Sequence, residues 1–440
     1  MKRLMPLILT MCIFLAGCGI YRIKDVVGDI SPNDFVPQRY EPSGVSVSST
    51  DPDTVVTDDD HDVNVGNGYE YWGYLFHNRY SSEYVCVVKN TSRQTLELEA
   101  NAIGYSKSGN AAGADQGRLT ILAPGEETAV MFYFSSTEVS DVKVELYPST
   151  TNGYLDPFIS DMEIEDFVYD GRIVERLTNK KNKRISSVTT IMVFFDKDGN
   201  PLGFEHGDFG GIGGIIDSKE SFVEQYDTPK EYDHYKVYVS GWCYIDQSRT
   251  DRDRPSSTDD DFEVTEYVFN RDKEKNRIAV IKNNSDEILT FMVGIIGYDK
   301  KGQMISADKT YISVIGPGEE GVAEFYFFDE FDIDHAEYHL DYKLENYYVP
   351  MARYTEYSCE YLPETSEFAV SVTNTADEPI QQVYAHVLFF DENDDLIKYA
   401  STDVMGDDYT IAPGATESDS IYYYGDMYDH YKVIIEAVAN

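Results

Sequence analysis

Two short stretches of this 440-residue sequence contain the residue types of a metal site. The stretch 196–200 alternates carboxylates with Gly199, but an EF-hand calcium loop has its glycine at the sixth position and a bidentate glutamate at the twelfth. The stretch 335–339 holds two histidines, but an alanine follows His335 where a zinc-protease helix has glutamate. In a strand these histidines lie about 13 Å apart, too far to share one zinc ion. We therefore expect a hairpin turn at 196–200, a strand at 335–339, and neither a metal ion nor another cofactor.

The sequence lacks recognisable motifs of nucleophilic catalysis. It has no Gly-x-Ser-x-Gly elbow, and no cysteine has a recognisable histidine partner. Carboxylates are so numerous, 79 in all, that sequence position selects no pair for acid–base chemistry. We expect a protein that is not an enzyme. The alternative is a cell-envelope hydrolase, which a cleft holding two carboxylates about 5–10 Å apart would indicate.

Aromatic residues are the remaining sign of a binding site, because aromatic rings contact both sugars and protein hot spots. Tyrosine alone accounts for 36 residues. Neighbouring aromatics occur at 69–74, 347–348 and 422–424. The candidate ligand-binding residues are Tyr71, Trp72, Tyr347, Tyr348, Tyr422 and Tyr423. The alternative is that alternate residues of each run face a core while the others cover joints between domains.

The N-terminus has the layout of an export signal. Basic residues follow Met1, the apolar run 4–15 is too short to span a bilayer permanently, and the small residues Ala16 and Gly17 precede Cys18. Residues 15–18 resemble the lipobox of bacterial lipoproteins. That resemblance implies cleavage between Gly17 and Cys18, and thioether-linked diacylglycerol on Cys18, often with a third acyl chain on its amine. The alternatives are an uncleaved N-terminal helix or a plain secretory signal.

The lipobox and the charge together limit the location and the partners. Lipid on Cys18 implies attachment to the cell membrane at its extracytoplasmic face. The chain has 36 basic and 79 acidic residues, a net charge of −43, which excludes nucleic acid as a partner. We expect a monomer with an envelope protein or a glycan as its partner. Cys86, Cys243 and Cys359 lie among strand-like residues and are expected to be small buried side chains.

An internal duplication organises the rest of the chain. Asn90 recurs as Asn283, and the same spacing of 193 residues carries 124–127 onto 317–320. A second set, including 194–196 and 389–391, recurs at a spacing of 195. The order of the units is therefore A, B, A′, B′.

The two kinds of unit also share a pattern. Each opens with a β-branched run that ends in Asn, where we expect a left-handed turn, and three of them continue to a Pro-Gly turn. The second unit has Ser218 and Lys219 in place of Pro-Gly, so we expect a different loop there. Short alternating strands in units of about 80 to 95 residues predict immunoglobulin-like antiparallel β-sandwiches. The arrangement resembles FxLYD-like modules of bacterial surface lipoproteins.

The predicted fold is all-β, with four tandem immunoglobulin-like sandwiches. The predicted segments are a signal peptide (1–17), a lipidated acidic disordered tether (18–66), sandwich A (67–148), sandwich B (154–245), a flexible linker (246–261), sandwich A′ (262–345) and sandwich B′ (352–440). Few contacts are expected between the A–B and A′–B′ pairs. The predicted function is a non-catalytic binding or structural role at the membrane surface. The alternative within binding is recognition of a carbohydrate or cell-wall polymer through exposed tyrosines.

Overall fold

The computed structural model describes residues 64–66, 68–150, 153–210, 214–249, 255–271, 274–327, 333–406, 409–423 and 428–439. Within these ranges the chain forms 27 strands and four short 3₁₀ turns, at Ile159–Asp161, Gln247–Arg249, Asp259–Asp261 and Ala352–Tyr354, with no α-helix. The strands form antiparallel sheets, so the predicted all-β fold is confirmed. No helix of the described ranges is long and apolar enough to cross a membrane.

The strands of the first pair fall into two sandwiches. Sandwich A has β1 (Asn64–Val65), β2 (Tyr69–His77), β3 (Ser82–Asn90), β4 (Leu96–Ser106), β5 (Ala111–Leu122), β6 (Glu127–Phe134) and β7 (Val139–Thr150). Sandwich B has β8 (Met162–Tyr169), β9 (Arg172–Asn179), β10 (Ile185–Phe195), β11 (Pro201–Phe209), β12 (Ile215–Ile216), β13 (Ser221–Asp227) and β14 (His234–Trp242). Asn64 and Val65, which the sequence assigns to the tether, pair with β2 as a short strand.

The second pair repeats this arrangement. Sandwich A′ has β15 (Phe262–Arg271), β16 (Glu274–Asn283), β17 (Leu289–Tyr298), β18 (Met304–Ile315), β19 (Glu320–Phe327) and β20 (His335–Leu344). Sandwich B′ has β21 (Val349–Pro350), β22 (Thr355–Leu362), β23 (Glu367–Asn374), β24 (Gln382–Phe390), β25 (Leu396–Asp403), β26 (Thr416–Tyr422) and β27 (His430–Ala439). The strand predicted at 335–339 is therefore confirmed as the start of β20.

All four sandwiches share one topology of six main strands. One sheet joins the first, second and fifth strands, as in β8-β9-β13, and the other joins the fourth, third and sixth, as in β18-β17-β20. The inward-facing apolar residues of both sheets form a separate buried cluster in each sandwich. The first and sixth strands lie on the same side of each sandwich. In B and A′ both are edge strands, whereas in A and B′ the two-residue strands β1 and β21 pair with β2 and β27 and extend that side.

The repeated asparagines are buried, and their role differs from the predicted left-handed turn. None of them has a positive φ angle. The Asn90 side-chain amide donates hydrogen bonds to the carbonyl oxygens of Gln94 and Leu122, at 2.8 and 2.9 Å, while its Oδ1 accepts one from the Ser92 amide. The same pattern occurs in the other three sandwiches, at Asn179, Asn283 and Asn374. A buried amide that satisfies several backbone groups at once explains the repetition of this residue better than a turn preference does.

The loop at Lys219 has the same conformation as its three counterparts, so the expectation of a different loop is wrong. Lys219 has φ 70°, close to the 86°, 78° and 72° of Gly125, Gly318 and Gly414. Its amide donates to the carbonyl of Asn179, as the three glycines donate to the corresponding asparagines. The hydrogen bond to the buried asparagine imposes the left-handed conformation even on a residue with a Cβ atom.

The hairpin turn predicted at 196–200 is confirmed. The Asp196 carboxylate accepts hydrogen bonds from the amides of Asp198 and Asn200, at 2.9 and 2.8 Å, and from the Asn200 side chain. Asp299 in A′ and Asp391 in B′ accept equivalent backbone bonds. The acidic residue of this stretch therefore stabilises the turn.

Three apolar clusters join neighbouring sandwiches. The A–B and A′–B′ joints are equivalent, because Val87 and Phe195 in the first stand where Val280 and Phe390 stand in the second. A third cluster joins the pairs, with Val174 and Val223 of B packed against residues of β17 and β18. The expectation of few contacts between the pairs is therefore wrong. The outward-facing residues Val174 of β9 and Val223 of β13 are apolar, and sandwich A′ buries them from water. The boundaries of the domain map otherwise stay predictions.

Candidate functional site: an acid rung in sandwich B

Three carboxylates lie side by side across one sheet of sandwich B. Asp166 on β8 pairs directly with Glu175 on β9, which pairs directly with Glu224 on β13. We call these three residues the acid rung. Residues in such register have Cβ atoms about 5 Å apart, so like charges at these positions destabilise the sheet.

In the other sandwiches, most of the positions that match the acid rung hold apolar or small residues. The central residue lies four positions before the buried asparagine of each repeat. The corresponding triplets are Gly73-Cys86-Val130 in A, Glu266-Ala279-Ala323 in A′ and Cys359-Val370-Asp419 in B′. Only sandwich B has a carboxylate in the centre, so the fold itself does not require one.

Glu175 is completely buried, with an exposed fraction of 0%. Its Oε2 accepts hydrogen bonds from the Tyr226 hydroxyl at 3.0 Å and the Thr190 hydroxyl at 3.2 Å, but its Oε1 has no hydrogen-bond partner. Asp166 accepts one bond from the Tyr235 hydroxyl, at 3.2 Å, and its Oδ1 has no partner either. A buried carboxylate oxygen without a partner is costly, so this pair is under-satisfied.

The polar neighbours of Glu175 also depart from the B′ pattern. Thr190 and Tyr226 lie within hydrogen-bond distance of each other, at 2.7 Å. At the matching positions, sandwich B′ has Ala385 and Ile421, both buried in its apolar core. Sandwich B therefore contains a group of matched polar substitutions and not a single misplaced acid.

Burial dominates the electrostatics of the rung. Burial, with the Asp166 carboxyl adding like charge, raises the pKa of Glu175 to about 8. Burial raises the pKa of Asp166 to about 6, although the hydrogen bond from Tyr235 opposes the shift. Burial also raises the pKa of Glu224, against the effect of Lys309. At neutral pH Glu175 is therefore mainly protonated, a state that relieves the charge repulsion along the rung.

The Glu224 end of the rung has a basic partner from the next sandwich. The Lys309 ammonium of A′ forms an ion pair with Glu224 and donates to the Asp208 carbonyl at 2.7 Å. This ion pair lies beside the apolar B–A′ joint. The opposite end, at Asp166 and Glu175, has no such partner in the described part of the chain.

The Asp166 end faces the edge of the sheet. Asp166 is half-buried between Ile164 and Val168, which lie two residues away on the same face of β8 and are 38% and 50% exposed. In sandwich A, tyrosine hydroxyls of β2 donate to carbonyls of β7 across this side, including Tyr71 to Val144 at 3.2 Å. The open side of sandwich B, defined as the space between the edge strands β8 and β14, therefore exposes apolar side chains on both sides of Asp166, whose unpartnered Oδ1 is itself buried.

Within the described ranges, no group of three His, Cys, Asp or Glu side chains is arranged to hold a metal ion. This absence extends to the three carboxylates of the acid rung. What the Asp166–Glu175 end can bind chemically is a proton or an organic cation, whose N–H groups would donate to the two unpartnered oxygens.

The candidate aromatic residues of the first group lie inside the molecule. Trp72 is only 6% exposed because it packs in the A–B joint, and its ring N–H donates to the Tyr74 hydroxyl at 3.2 Å. Tyr71 packs against the core of sandwich A. The expected exposure is wrong for Trp72, since the outer face of β2 is covered by sandwich B.

The other aromatic groups are divided between surface and core. Tyr347 is 68% exposed and contacts the half-buried Tyr348 edge to face, with ring centroids 4.9 Å apart. Tyr422 is 59% exposed, whereas Tyr423 is buried in the core of B′, so exposure is wrong for Tyr423. The strand alternation places neighbouring side chains on opposite faces. The structure therefore does not bring the six aromatic residues together.

Gly17 and Cys18 lie outside the described residues. Cys86 and Cys243 are buried as expected, while Cys359 is partly exposed. His335 stacks on Tyr298, and His339 contacts Phe222 of sandwich B edge to face, with centroids 4.9 Å apart.

Sequence reasoning did not select the acid rung, although the repeats contain its signal. Four residues before each repeated asparagine the sequence has Cys86, Glu175, Ala279 and Val370. A charged residue among three small or apolar ones marks a buried polar position only once the repeats are aligned on the asparagine.

No family model matches this chain, and no curated protein matches it in sequence. Among solved structures it is similar to Escherichia coli alpha-2-macroglobulin activated by porcine elastase, with 10% identity and a TM-score of 0.13 over 86% of this chain and 41% of that chain. It is also similar to a beta-glucuronidase from glycoside hydrolase family 2, with 12% identity and a TM-score of 0.14 over 72% and 30% of the two chains. The chain spans less than half the length of these proteins, and similarities this weak identify no function.

Proposed function

We propose that this chain is a membrane-attached lipoprotein of the extracytoplasmic face that acts by binding, without catalysis. The lipobox-like residues 15–18 support the membrane attachment, and the observation that carries the binding role is the repetition of a whole joint. The A–B and A′–B′ joints share their apolar positions and also an ion pair, Lys236 with Glu127 in the first and Lys432 with Glu320 in the second.

A repeated joint indicates that the duplicated unit is a pair of sandwiches held in one arrangement. Each joint buries apolar surface on both partners, which holds the two sandwiches together more firmly than a bare linker does. A pair with a defined geometry suits a protein that presents a surface to a partner. The strongly acidic composition favours a partner with basic groups.

The anchor is tested by Cys18→Ala. We expect this variant to accumulate as an unprocessed precursor, while the natural chain partitions into the detergent phase with a modified N-terminal cysteine. Cys12→Ala, in the same leader, is the matched control and leaves processing unchanged. Recovery of a processed natural chain with an unmodified Cys18 would contradict the anchor.

A second candidate, glycan binding, is favoured by the exposed ring pair at Tyr347 and Tyr348. A sugar face stacks on such a ring, and the edge-to-face contact holds Tyr347 in place. Binding of cell-wall glycan fragments to the full chain that Tyr347→Ala weakens at least tenfold, and Tyr354→Ala does not, would support this candidate. Tyr354 is the control because it is another exposed tyrosine, on the neighbouring 3₁₀ turn.

A further inference from the structure

The unsatisfied end of the acid rung needs a positive partner. Glu175 is fully buried, and one oxygen each of Glu175 and Asp166 lacks a hydrogen bond. Protonation of Glu175 removes one charge, but it does not supply donors for both oxygens. A guanidinium or ammonium group supplies several N–H donors and the charge together.

Sandwich A′ shows how a basic side chain can satisfy a carboxylate at this position. In sandwich A′, Glu266 stands at the position of Asp166, and its carboxylate forms an ion pair with Arg277 on the next strand. Sandwich B has the apolar Ile173 where A′ has Arg277, so the internal guanidinium is missing there. At the other end of the rung, Lys309 of A′ pairs with Glu224. In both cases a basic side chain contacts a carboxylate at a rung position, Glu266 in A′ and Glu224 in B.

The surroundings of Asp166 fit an extended segment better than a free amine. Strand β8 is the edge of the sheet β13-β9-β8, and its inward face presents Ile164, Asp166 and Val168 at alternate positions. A segment added beside an edge strand places its own side chains at the same spacing of two residues. Such a segment would therefore place a basic residue beside Asp166 and an apolar residue beside each of Ile164 and Val168.

We propose that the open side of sandwich B binds an extended segment of a partner protein, with an Arg or Lys between two apolar residues. Because the unpartnered oxygens of Asp166 and Glu175 are buried, the exposed Ile164 and Val168 side chains must move aside for the cationic group to reach them. The net charge of −43 favours approach of such a basic segment. This inference names the partner class of the proposed binding function, but it does not depend on the lipid anchor.

The test uses two capped peptides, Val-Thr-Arg-Thr-Val and Val-Thr-Gln-Thr-Val, and the full chain carrying Cys18→Ala in mild detergent. We expect the arginine peptide to bind at least tenfold more tightly than the glutamine peptide at low salt. Because the guanidinium favours ionised Glu175, binding at pH 7 releases protons, which calorimetry in buffers of different ionisation enthalpy detects.

Three variants test whether the preference for the arginine peptide depends on the acid rung. Glu175→Val, which introduces the residue of B′, and Asp166→Asn each remove the preference for arginine over glutamine. Glu163→Gln is the control, because it removes the same charge from β8 at the residue that pairs with Lys180, and it keeps the preference. Absence of arginine-peptide binding at millimolar concentration, or a preference that survives both rung variants, overturns the proposal. Since the chain in this test lacks Cys18, such a failure leaves the lipid anchor untouched.

Discussion

Sandwiches B and B′ have the same six main strands, the same buried asparagine and the same left-handed loop. Their cores differ around the central position of the acid rung. B has Glu175 where B′ has Val370, and the hydroxyl groups around Glu175 are replaced by apolar side chains in B′. The fold therefore accepts an apolar residue at this position. Retaining a buried acid costs stability, which is why we connect the acid rung with binding and not with folding.

The largest effect is expected when the acid is transferred to the apolar copy. Val370→Glu places a carboxyl in a core that lacks the hydroxyl donors of B, and we expect it to destabilise B′ by about 3–5 kcal/mol. Hydrogen exchange of the full chain should show lost protection in β23, β24 and β26, with B protected as before. Ser371→Glu, one residue further on the outward face, is the control and should change little. Equal protection in both variants would show that B′ tolerates the acid.

The stability of sandwich B should depend on pH more strongly than the stability of sandwich B′. The pKa of Glu175 in the folded state, about 8, lies above the ordinary value of 4.5, so the folded state binds the proton more tightly. This stabilisation is complete below pH 4.5 and is lost as the pH rises towards 8, by about 1.4 kcal/mol per pH unit.

Asp166 adds to this loss between its ordinary pKa of 3.8 and its folded pKa of about 6. Protection factors from hydrogen exchange, corrected for the intrinsic rate, should fall in β9, β10 and β13 between pH 5 and pH 8. The strands β23, β24 and β26 serve as the internal control. A parallel pH response in both copies would contradict the assignment to the acid rung.

Removing the acid should make B resemble B′. We expect Glu175→Val to stabilise sandwich B by about 1–3 kcal/mol at pH 8, since an apolar residue replaces a buried ionisable one. Thr190 and Tyr226 keep their hydrogen bond with each other. The same variant should flatten the pH response of β9, β10 and β13. Loss of stability at pH 8 would mean that Glu175 is a structural element of B.

The smallest effect concerns the loop that both copies share. Lys219 adopts a left-handed conformation that costs a residue with a Cβ atom about 1 kcal/mol, whereas Gly414 adopts it freely. We expect Lys219→Gly to stabilise B by about 0.5–1 kcal/mol and Gly414→Lys to destabilise B′ by a similar amount. Thermal unfolding of the two variants should shift in opposite directions, and a shift in the same direction would show that the loops differ.

The sequence by itself determined the fold class and the four-fold repetition, because strand alternation, turn residues and duplicated spacings are local properties. It also indicated the hairpin turn at Asp196, whose carboxylate accepts hydrogen bonds from residues within four positions along the chain. The lipobox at Cys18 is equally local and stays a prediction.

Tertiary structure decided which side chains are buried and what surrounds them. Trp72 and Tyr74 of the first aromatic run are covered by sandwich B, although nothing in the run itself indicates a covering domain. The acid rung joins residues of three strands, and its partner Lys309 lies 85 positions from Glu224. Such contacts depend on strand register and on the packing of one sandwich against the next, which spacing along a single repeat does not encode.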